Sequence, residues 1–204
     1  MNRAQESRGT GRGTPRRVYE LAASYIFIAF IGWVFEKVGR YFVYGSISDR
    51  GFLSLPLCPI YATSVIGVYL LFGTPKRLRL LAKRIDAGVL KGTALYFLFS
   101  AVAASAVELC VGVFFESAFG LRLWDYSERA FDVFGHVCLS YSLLWGGILT
   151  AFMFTVWKKL ESAVKSIPQK KLTVGVFVIY GAVLADFIFN IFYLCIVGSH
   201  FKFL

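Results

Sequence analysis

Five long apolar segments constrain this chain more than any other feature of its sequence. They cover residues 18–44, 53–72, 89–115, 137–157 and 172–197. A helix of about 20 apolar residues can cross a hydrocarbon layer of ~30 Å, because it rises ~1.5 Å per residue. The segments are continuous runs and lack the alternating pattern of ~10-residue barrel strands. The sequence therefore predicts an all-α, polytopic membrane protein with five transmembrane helices.

The composition agrees with this class of protein. Of 204 residues, 57% are hydrophobic and only 17% are charged, which is too apolar for a soluble domain of this size. Residues 1–17 are polar and rich in arginine, without the apolar periodicity that supports folding, so we expect a disordered cytoplasmic tail there. Residues 18–204 are predicted to form a single five-helix domain in the lipid bilayer.

The basic residues predict how the chain is threaded through the membrane. Fifteen of them lie in the tail and in the loops 74–88 and 158–171, whereas the opposite segments carry four, namely Arg50, Arg122, Arg129 and Lys202. Because cytoplasmic loops are enriched in lysine and arginine, we expect a multi-pass protein of the cytoplasmic (inner) membrane with the N-terminus inside and the C-terminus outside. This topology explains the net charge of +10 without nucleic acid binding.

The pattern G-x3-L-x5-aromatic occurs twice and suggests an internal repeat. Its members are Gly51, Leu55 and Tyr61 in the first copy and Gly135, Leu139 and Trp145 in the second. In each copy the pattern follows a segment that carries a glutamate. Both hairpins would enter the membrane from the inside, so we expect two parallel repeats followed by a fifth helix.

Three acidic side chains lie within the apolar segments and are the candidate substrate or ion site. Glu36 and Glu108 each lie about 27–28 Å from the inner end of their segments, at matching depth. Asp186 and Asn190 share one face of the fifth segment. Such side chains are costly in lipid unless they meet a partner or a cavity. They are expected to line an outward-facing polar site, or to form a structural network, and both interpretations stay open.

Two arginines are candidate partners of these acids. Arg40 lies one turn beyond Glu36, in the favourable order of acid before base, and Arg50 borders the following loop. An ordinary ion pair between Glu36 and Arg40 is the alternative to a role in the site.

Pro56 and Pro59 flank Cys58 at the start of the second segment. They predict either an interrupted, re-entrant backbone, which is typical of transport sites, or a proline in the first turn of an ordinary helix. Cys58 and Cys138 lie in the two repeat loops. A disulfide between them is the minor alternative to two free thiols.

The sequence WDYS, residues 124–127, lies in the longest outer loop. Trp124 and Tyr126 are typical of interfacial anchors, and Asp125 of a turn or cap, with Ser127 beside it. A lid over the polar site is the other interpretation of these four residues.

Sequence signatures of enzymes are missing from the chain. It has no GxxxxGK[ST], HExxH or GxSxG motif, and its two histidines, His136 and His200, are too few for the metal site of an intramembrane prenyl protease. We therefore expect no enzymatic activity, no cofactor and no bound metal. A lipid-modifying enzyme that uses Glu36 and Glu108 as acid and base is the alternative.

Several of these motifs occur together: Glu36, DRGFLSLPLCPIY (49–61), Glu108, LRLWDYS (121–127) and FGHVCLSYSLLWG (134–146). The combination resembles a bacterial family of integral membrane proteins described as putative ABC-transporter type IV. The family pattern has glycine in place of Leu55 and Ala62 and asparagine in place of Asp132. These differences are expected to tighten the entry to the second segment and to alter capping in the outer loop.

The resemblance implies a permease subunit that works with a separate ATPase or another membrane partner. Our first hypothesis is a transporter, channel or permease-like subunit with an outward-facing polar site. The alternative is a membrane assembly or signalling factor that binds a protein or lipid through its outer loops. A homodimer is compatible with either hypothesis, and the sequence does not identify the substrate.

Overall fold

The apolar segments form helices. The computed structural model describes residues 14–45, 52–81 and 83–198, and 74% of these described residues are helical. Within the described residues the helices are α1 (Thr14–Tyr44), α2 (Pro59–Phe72), α3 (Gly88–Phe119), α4 (Leu139–Thr155), α5 (Trp157–Ser166) and α6 (Gln169–Val197).

Two small sheets connect the helices. One contains β1 (Gly73–Thr74), β2 (Arg77–Leu80) and β3 (Lys83–Arg84), and it joins α2 to α3. The other pairs β4 (Asp132–Val133) with β5 (Val137–Cys138) in the loop before α4. All neighbouring strands are antiparallel.

Three helices, α1, α3 and α6, are long and apolar enough to cross a membrane. A fourth crossing results if α4 and α5, which are bent by 50° at their junction, are taken as one span. Since the same helices expose many large apolar side chains on their outer faces, lipid is their natural surrounding. The predicted class of helical membrane protein is confirmed, with three to four candidate spans among the described helices.

The second predicted segment, residues 53–72, departs from this pattern. Only its second part is a helix, since α2 has 14 residues and is about 21 Å long, short of the ~30 Å hydrocarbon layer. Residues 52–58 follow an irregular path, and Pro59 stands in the first turn of α2. Pro59 therefore fits the interpretation as a first-turn proline, the re-entrant interpretation stays a prediction, and the prediction of five spans is not confirmed.

Other boundaries also differ from the predicted ones. Helix α1 begins at Thr14, inside the predicted tail, whose first 13 residues lie outside the described part of the chain. Helix α3 continues to Phe119, and the predicted loop 158–171 contains most of α5. α5 has a buried side formed by Trp157, Leu160 and Val164 and an exposed basic side, so its apolar residues pack against the bundle while its lysines face outward.

Small residues bring the main helix pairs close together. A methyl group added at Gly146 of α4 would lie 2.9 Å from Cβ of Ala101 of α3. Beside this contact, the Ser105 hydroxyl donates a hydrogen bond to Ser142 Oγ at 2.6 Å. This is the usual way for membrane helices to pack, because close backbone approach replaces a hydrophobic driving force.

The basic segments meet at one end of the bundle. Arg16 of α1 donates to the carbonyl oxygens of Lys165 and Ile167 at the end of α5. The ring of Trp157 packs on that of Tyr69, and Arg79 of β2 donates to the Tyr69 carbonyl near the end of α2. This grouping agrees with the predicted inner side, while the orientation in the membrane stays a prediction.

We predict that Gly32→Ala destabilises the packing of α1 on α2. The added methyl group would lie 2.6 Å from Cβ and Cγ of Tyr61, so the whole side chain would have to move, at a cost of about 1–3 kcal/mol. Gly39→Ala on the same helix is the matched control, because nothing lies within 4 Å of that position. Thermal unfolding of the purified variants tests this. Equal melting temperatures for both variants would contradict the described packing.

Candidate functional site

An oblique row of residues on α3 places Glu108 inside the bundle. The row consists of every fourth residue of α3, and all of its members are buried: Gly92, Tyr96, Ser100, Ala104, Glu108 and Gly112. Residues at this spacing form a ridge slightly inclined to the helix axis, and neighbouring helices pack along it. The sequence therefore directs the Glu108 carboxylate between helices and away from lipid.

Glu108 has one satisfied oxygen and one unsatisfied oxygen. Its Oε1 accepts a hydrogen bond of 2.8 Å from the indole Nε1 of Trp145 on α4. Its Oε2 is buried and has no hydrogen-bond partner among the described residues, although Glu108 is only 6% exposed. A buried acid with a single hydrogen bond is unfavourable as an anion unless it takes up a proton or a cation.

Glu36 occupies a partly buried position on α1. Its Oε2 accepts a hydrogen bond of 3.4 Å from the Cys58 thiol. Cys58 immediately precedes α2, and its backbone N–H donates to the Ala29 carbonyl of α1 at 2.9 Å. The irregular segment 52–58 thereby brings a thiol to the Glu36 carboxylate.

The aromatic residues of the two repeat motifs contact each other. Tyr61 and Trp145 pack edge to face with ring centroids 5.4 Å apart and an angle of 88°. Phe35, next to Glu36, completes the cluster at 6.3 Å from Tyr61 and 6.4 Å from Trp145. The cluster joins the hairpin that carries Glu36 to the hairpin that carries Glu108.

Tyr126 of the WDYS sequence reaches this region from the outer loop. Burial raises the pKa of Tyr126, and the nearby carboxylate of Glu108 raises it further, with a smaller contribution from Glu36. Its ring stacks on Tyr141 at 4.6 Å, and its backbone N–H donates to the Gly135 carbonyl. Tyr126 is therefore the loop residue that lies near both acids.

The rest of the WDYS sequence shapes the loop itself. Trp124 Nε1 donates to the His136 carbonyl at 2.8 Å. Asp125 accepts the Ser127 N–H at 3.0 Å and pairs with Arg122 at 3.2 Å; the Ser127 bonds and then the Arg122 charge lower the Asp125 pKa. Asp125 and Ser127 thus form the predicted turn, and Trp124 fixes it to the segment before α4.

Sequence reasoning missed a second polar cluster. His136, which is 1% exposed, shares a hydrogen bond of 2.8 Å between its Nε2 and Glu116 Oε2, and Arg122 donates to Glu116 Oε1 at 2.7 Å. Glu116 continues the row of Glu108 and Gly112, which is the signal that would have found it. The position of His136 depends on the fold of the loop and has no local signal.

Gly135 and Leu139 are the remaining members of the second repeat motif. Gly135 adopts a positive φ of 72°, and its N–H is capped by Asp132 Oδ2 at 3.0 Å. Aspartate thus fills the capping role at the position where the family pattern has asparagine. Leu139 begins α4 and is exposed at 48%.

Asp186 and Asn190 of α6 hold the segment 52–58. Asp186 Oδ2 accepts the backbone N–H groups of Ser54 at 2.9 Å and Leu55 at 3.2 Å. Asn190 is fully buried and donates to Ser54 Oγ at 3.0 Å. These contacts thus show that the two residues hold the backbone of the segment 52–58, whereas Glu36 and Glu108 lie at the aromatic cluster.

The other predicted site residues lie at the edge of this region. Arg40 is partly buried on α1, one turn beyond Glu36, and Pro56 is exposed in the irregular segment. Arg50 and Gly51 lie outside the described residues, so their predicted roles are untested.

No disulfide joins the cysteines of the described residues. Cys58 bonds to Glu36, and the Cys138 thiol lies 3.3 Å from Ser140 Oγ. Among the described residues, no group of three or more His, Cys, Asp or Glu side chains is arranged to hold a metal ion.

We predict that Asp186→Ala loosens the segment 52–58. It leaves two backbone N–H groups without their acceptor, at about 1–3 kcal/mol for each buried group. Hydrogen exchange at Ser54 and Leu55, followed by mass spectrometry, should accelerate. Asp86→Ala is the control, because Asp86 forms an exposed ion pair with Arg84. Unchanged protection in Asp186→Ala would refute the anchoring role.

Comparison with known proteins identifies a family for this chain. No curated protein and no solved structure matches the chain. The chain does match the family described as "Putative ABC-transporter type IV" over residues 23–191, which include both acids, the aromatic cluster and the outer loop. The match extends over most of the sequence, so the chain belongs to the putative ABC-transporter type IV family.

Proposed function

We propose that this protein is a transporter, channel or permease-like subunit of the cytoplasmic membrane. Its polar site is formed by Glu36 and Glu108 and opens toward the outer side. The two hairpins, α1–α2 and α3–α4, each supply one acid and one aromatic residue to the site. In this proposal they are parallel repeats, and α6 is the additional helix that holds the first repeat together.

The unsatisfied Oε2 of Glu108 is the observation that carries the proposal. A carboxylate in a membrane bundle is expensive unless it is neutralised, and intramembrane acids commonly mark the path of an ion or proton. Trp145 satisfies only one oxygen of Glu108. A purely structural network would be expected to satisfy both oxygens, as Asp186 does with its loop and with Asn190.

The position of the outer loop supports a site that opens toward the outer side. Glu36, Tyr61 and Trp145 are partly buried. Tyr126 approaches from the loop at the end opposite the basic segments. In this arrangement the loop acts as a lid over the acids.

A partner ATPase, implied by the family description, would act at the opposite end. The basic surface there is formed by α5 and the β1–β3 sheet, which are packed on the inner ends of α1 and α2. Motion of α5 would reach α4 directly, because the two helices meet at a 50° bend.

We predict that Glu108→Gln abolishes ion movement and preserves the fold. Glutamine keeps an oxygen that accepts the Trp145 N–H but removes the charge and the proton-binding group. Purified protein in proteoliposomes, with an imposed membrane potential, should move protons, sodium ions or ethylammonium. The Glu108→Gln variant should lose at least about 90% of that flux, as expected for removal of an essential acid.

Glu161→Gln is the matched control, because Glu161 forms an exposed pair with Lys165 on α5. It should leave the flux unchanged, and both variants should elute and melt like the original protein. Equal flux in Glu108→Gln and the original protein would refute the proposal. So would the absence of flux for all three probes in the original protein.

A second candidate function, binding of a protein partner at the outer face, is favoured by the tip of the outer loop. Phe131 is 79% exposed and Phe134 is 76% exposed. Both adopt positive φ, at 56° and 54°, although bulky residues rarely occupy this region. Strained, exposed aromatic side chains of this kind are typical of binding surfaces.

If this second function is correct, the double variant Phe131→Ser, Phe134→Ser should lose a defined membrane or periplasmic partner. Chemical crosslinking in native membranes followed by mass spectrometry would measure it. Phe42→Ser, at another highly exposed ring on α1, is the control and should keep the partner. An identical set of crosslinked proteins in the loop variant would exclude this surface.

A further inference from the structure

We infer that the site between Glu36 and Glu108 recognises the N–H-bearing ammonium group of a small organic cation. This inference rests on the proposed function, because it names the class of solute that the same site would take.

The charge of the site favours a cation. Glu108 offers a buried oxygen that lacks a hydrogen-bond donor among the described residues, and Glu36 adds a second carboxylate from the facing hairpin. The unsatisfied oxygen of Glu108 therefore favours a cation over an anion, because an anion would meet two carboxylates.

The aromatic cluster specifies what kind of cation suits the site. The ring planes of Phe35, Tyr61 and Trp145 make angles of 62–88° with one another, so their faces point in different directions. Aromatic faces attract ammonium groups through the ring quadrupole, most strongly where water is excluded. They also suit a short alkyl chain better than a hydrated metal ion.

The donor set disfavours a divalent metal. Ca²⁺ takes 6–8 oxygen ligands and Mg²⁺ requires an octahedron of oxygens. In the described part of the chain no cluster of three candidate metal ligands occurs, and the neighbours of Glu108 here are an indole and aromatic rings. A proton would neutralise Glu108 but would make no use of the aromatic faces.

The unsatisfied oxygen distinguishes two kinds of ammonium. An acceptor without a donor is best completed by an N–H group, and a charge-assisted hydrogen bond is among the stronger ones in proteins. A primary ammonium supplies such a donor, whereas a quaternary ammonium has none. Ethylammonium should therefore bind more tightly than tetramethylammonium.

The predicted order of affinities, ethylammonium above tetramethylammonium, is tested by measuring binding to the full chain in lipid nanodiscs. Ligand-detected NMR with millimolar ethylammonium should show binding, and ethanol, its neutral analogue, should show none. Glu108→Gln should weaken ethylammonium binding by at least about tenfold, as expected for a charge-assisted hydrogen bond. Sodium ions at equal concentration should not displace ethylammonium.

A conservative pair of variants tests the aromatic contribution. Tyr61→Phe keeps the ring face and should bind ethylammonium within about twofold of the original protein. Tyr61→Leu removes the face and should weaken binding by about threefold to thirtyfold, the range of a cation–π contact. Phe42→Leu, away from the cluster, serves as the control and should bind normally.

Several results would overturn the inference. They are equal binding of ethylammonium and ethanol, displacement by sodium, tighter binding of tetramethylammonium, and equal affinities of Tyr61→Phe and Tyr61→Leu. If Glu108-dependent flux of protons or sodium occurs without ethylammonium binding, the transport function stands and the ammonium assignment fails. If there is neither flux nor binding, both fail.

Discussion

The structure depends on one constraint: backbone polar groups that lie between apolar helices must find hydrogen-bond partners within the protein. Helices satisfy this requirement by themselves, but the segment 52–58 is not helical. Its Ser54 and Leu55 N–H groups bind to Asp186, and its Cys58 N–H binds to the Ala29 carbonyl. Phe52 also packs between Phe115 of α3 and Phe187 of α6. An irregular segment is stable here because three helices complete it.

This segment also determines the geometry of the site. Because α2 begins only at Pro59, the Cys58 thiol turns toward Glu36. Tyr61, in the first turn of α2, lies against Gly32 of α1. From there the Tyr61 ring reaches Trp145, which holds Glu108. Trp145 thus links Glu108 to Tyr61 of the first hairpin, whereas Glu36 contacts Cys58 just before α2, so a change in the packing of α2 would affect the surroundings of both carboxylates.

The sequence predicted what is local and missed what depends on the tertiary fold. The hydropathy of the segments was sufficient for the helices α1, α3, α4 and α6, and the four-residue spacing around Glu108 was sufficient to bury it. The shortness of α2 could not be predicted, because it depends on Asp186, which lies more than 120 residues away along the chain. Asp186 was expected to join Glu36 and Glu108, but a carboxylate on a helix face gives no indication of which backbone it will bind. The pairing of Glu116 with His136 was missed for the same reason.

The hold of α6 on the first hairpin has a consequence for the order of assembly. Helix α6 is synthesised after the other described helices, yet Asp186 and Asn190 supply the acceptors and donors for a segment made more than 120 residues earlier. Until α6 leaves the ribosome and enters the membrane, Ser54 and Leu55 lack these partners. The region around Glu36 therefore reaches its final form only after α6 has entered the membrane, and a truncated chain without α6 leaves that region incomplete.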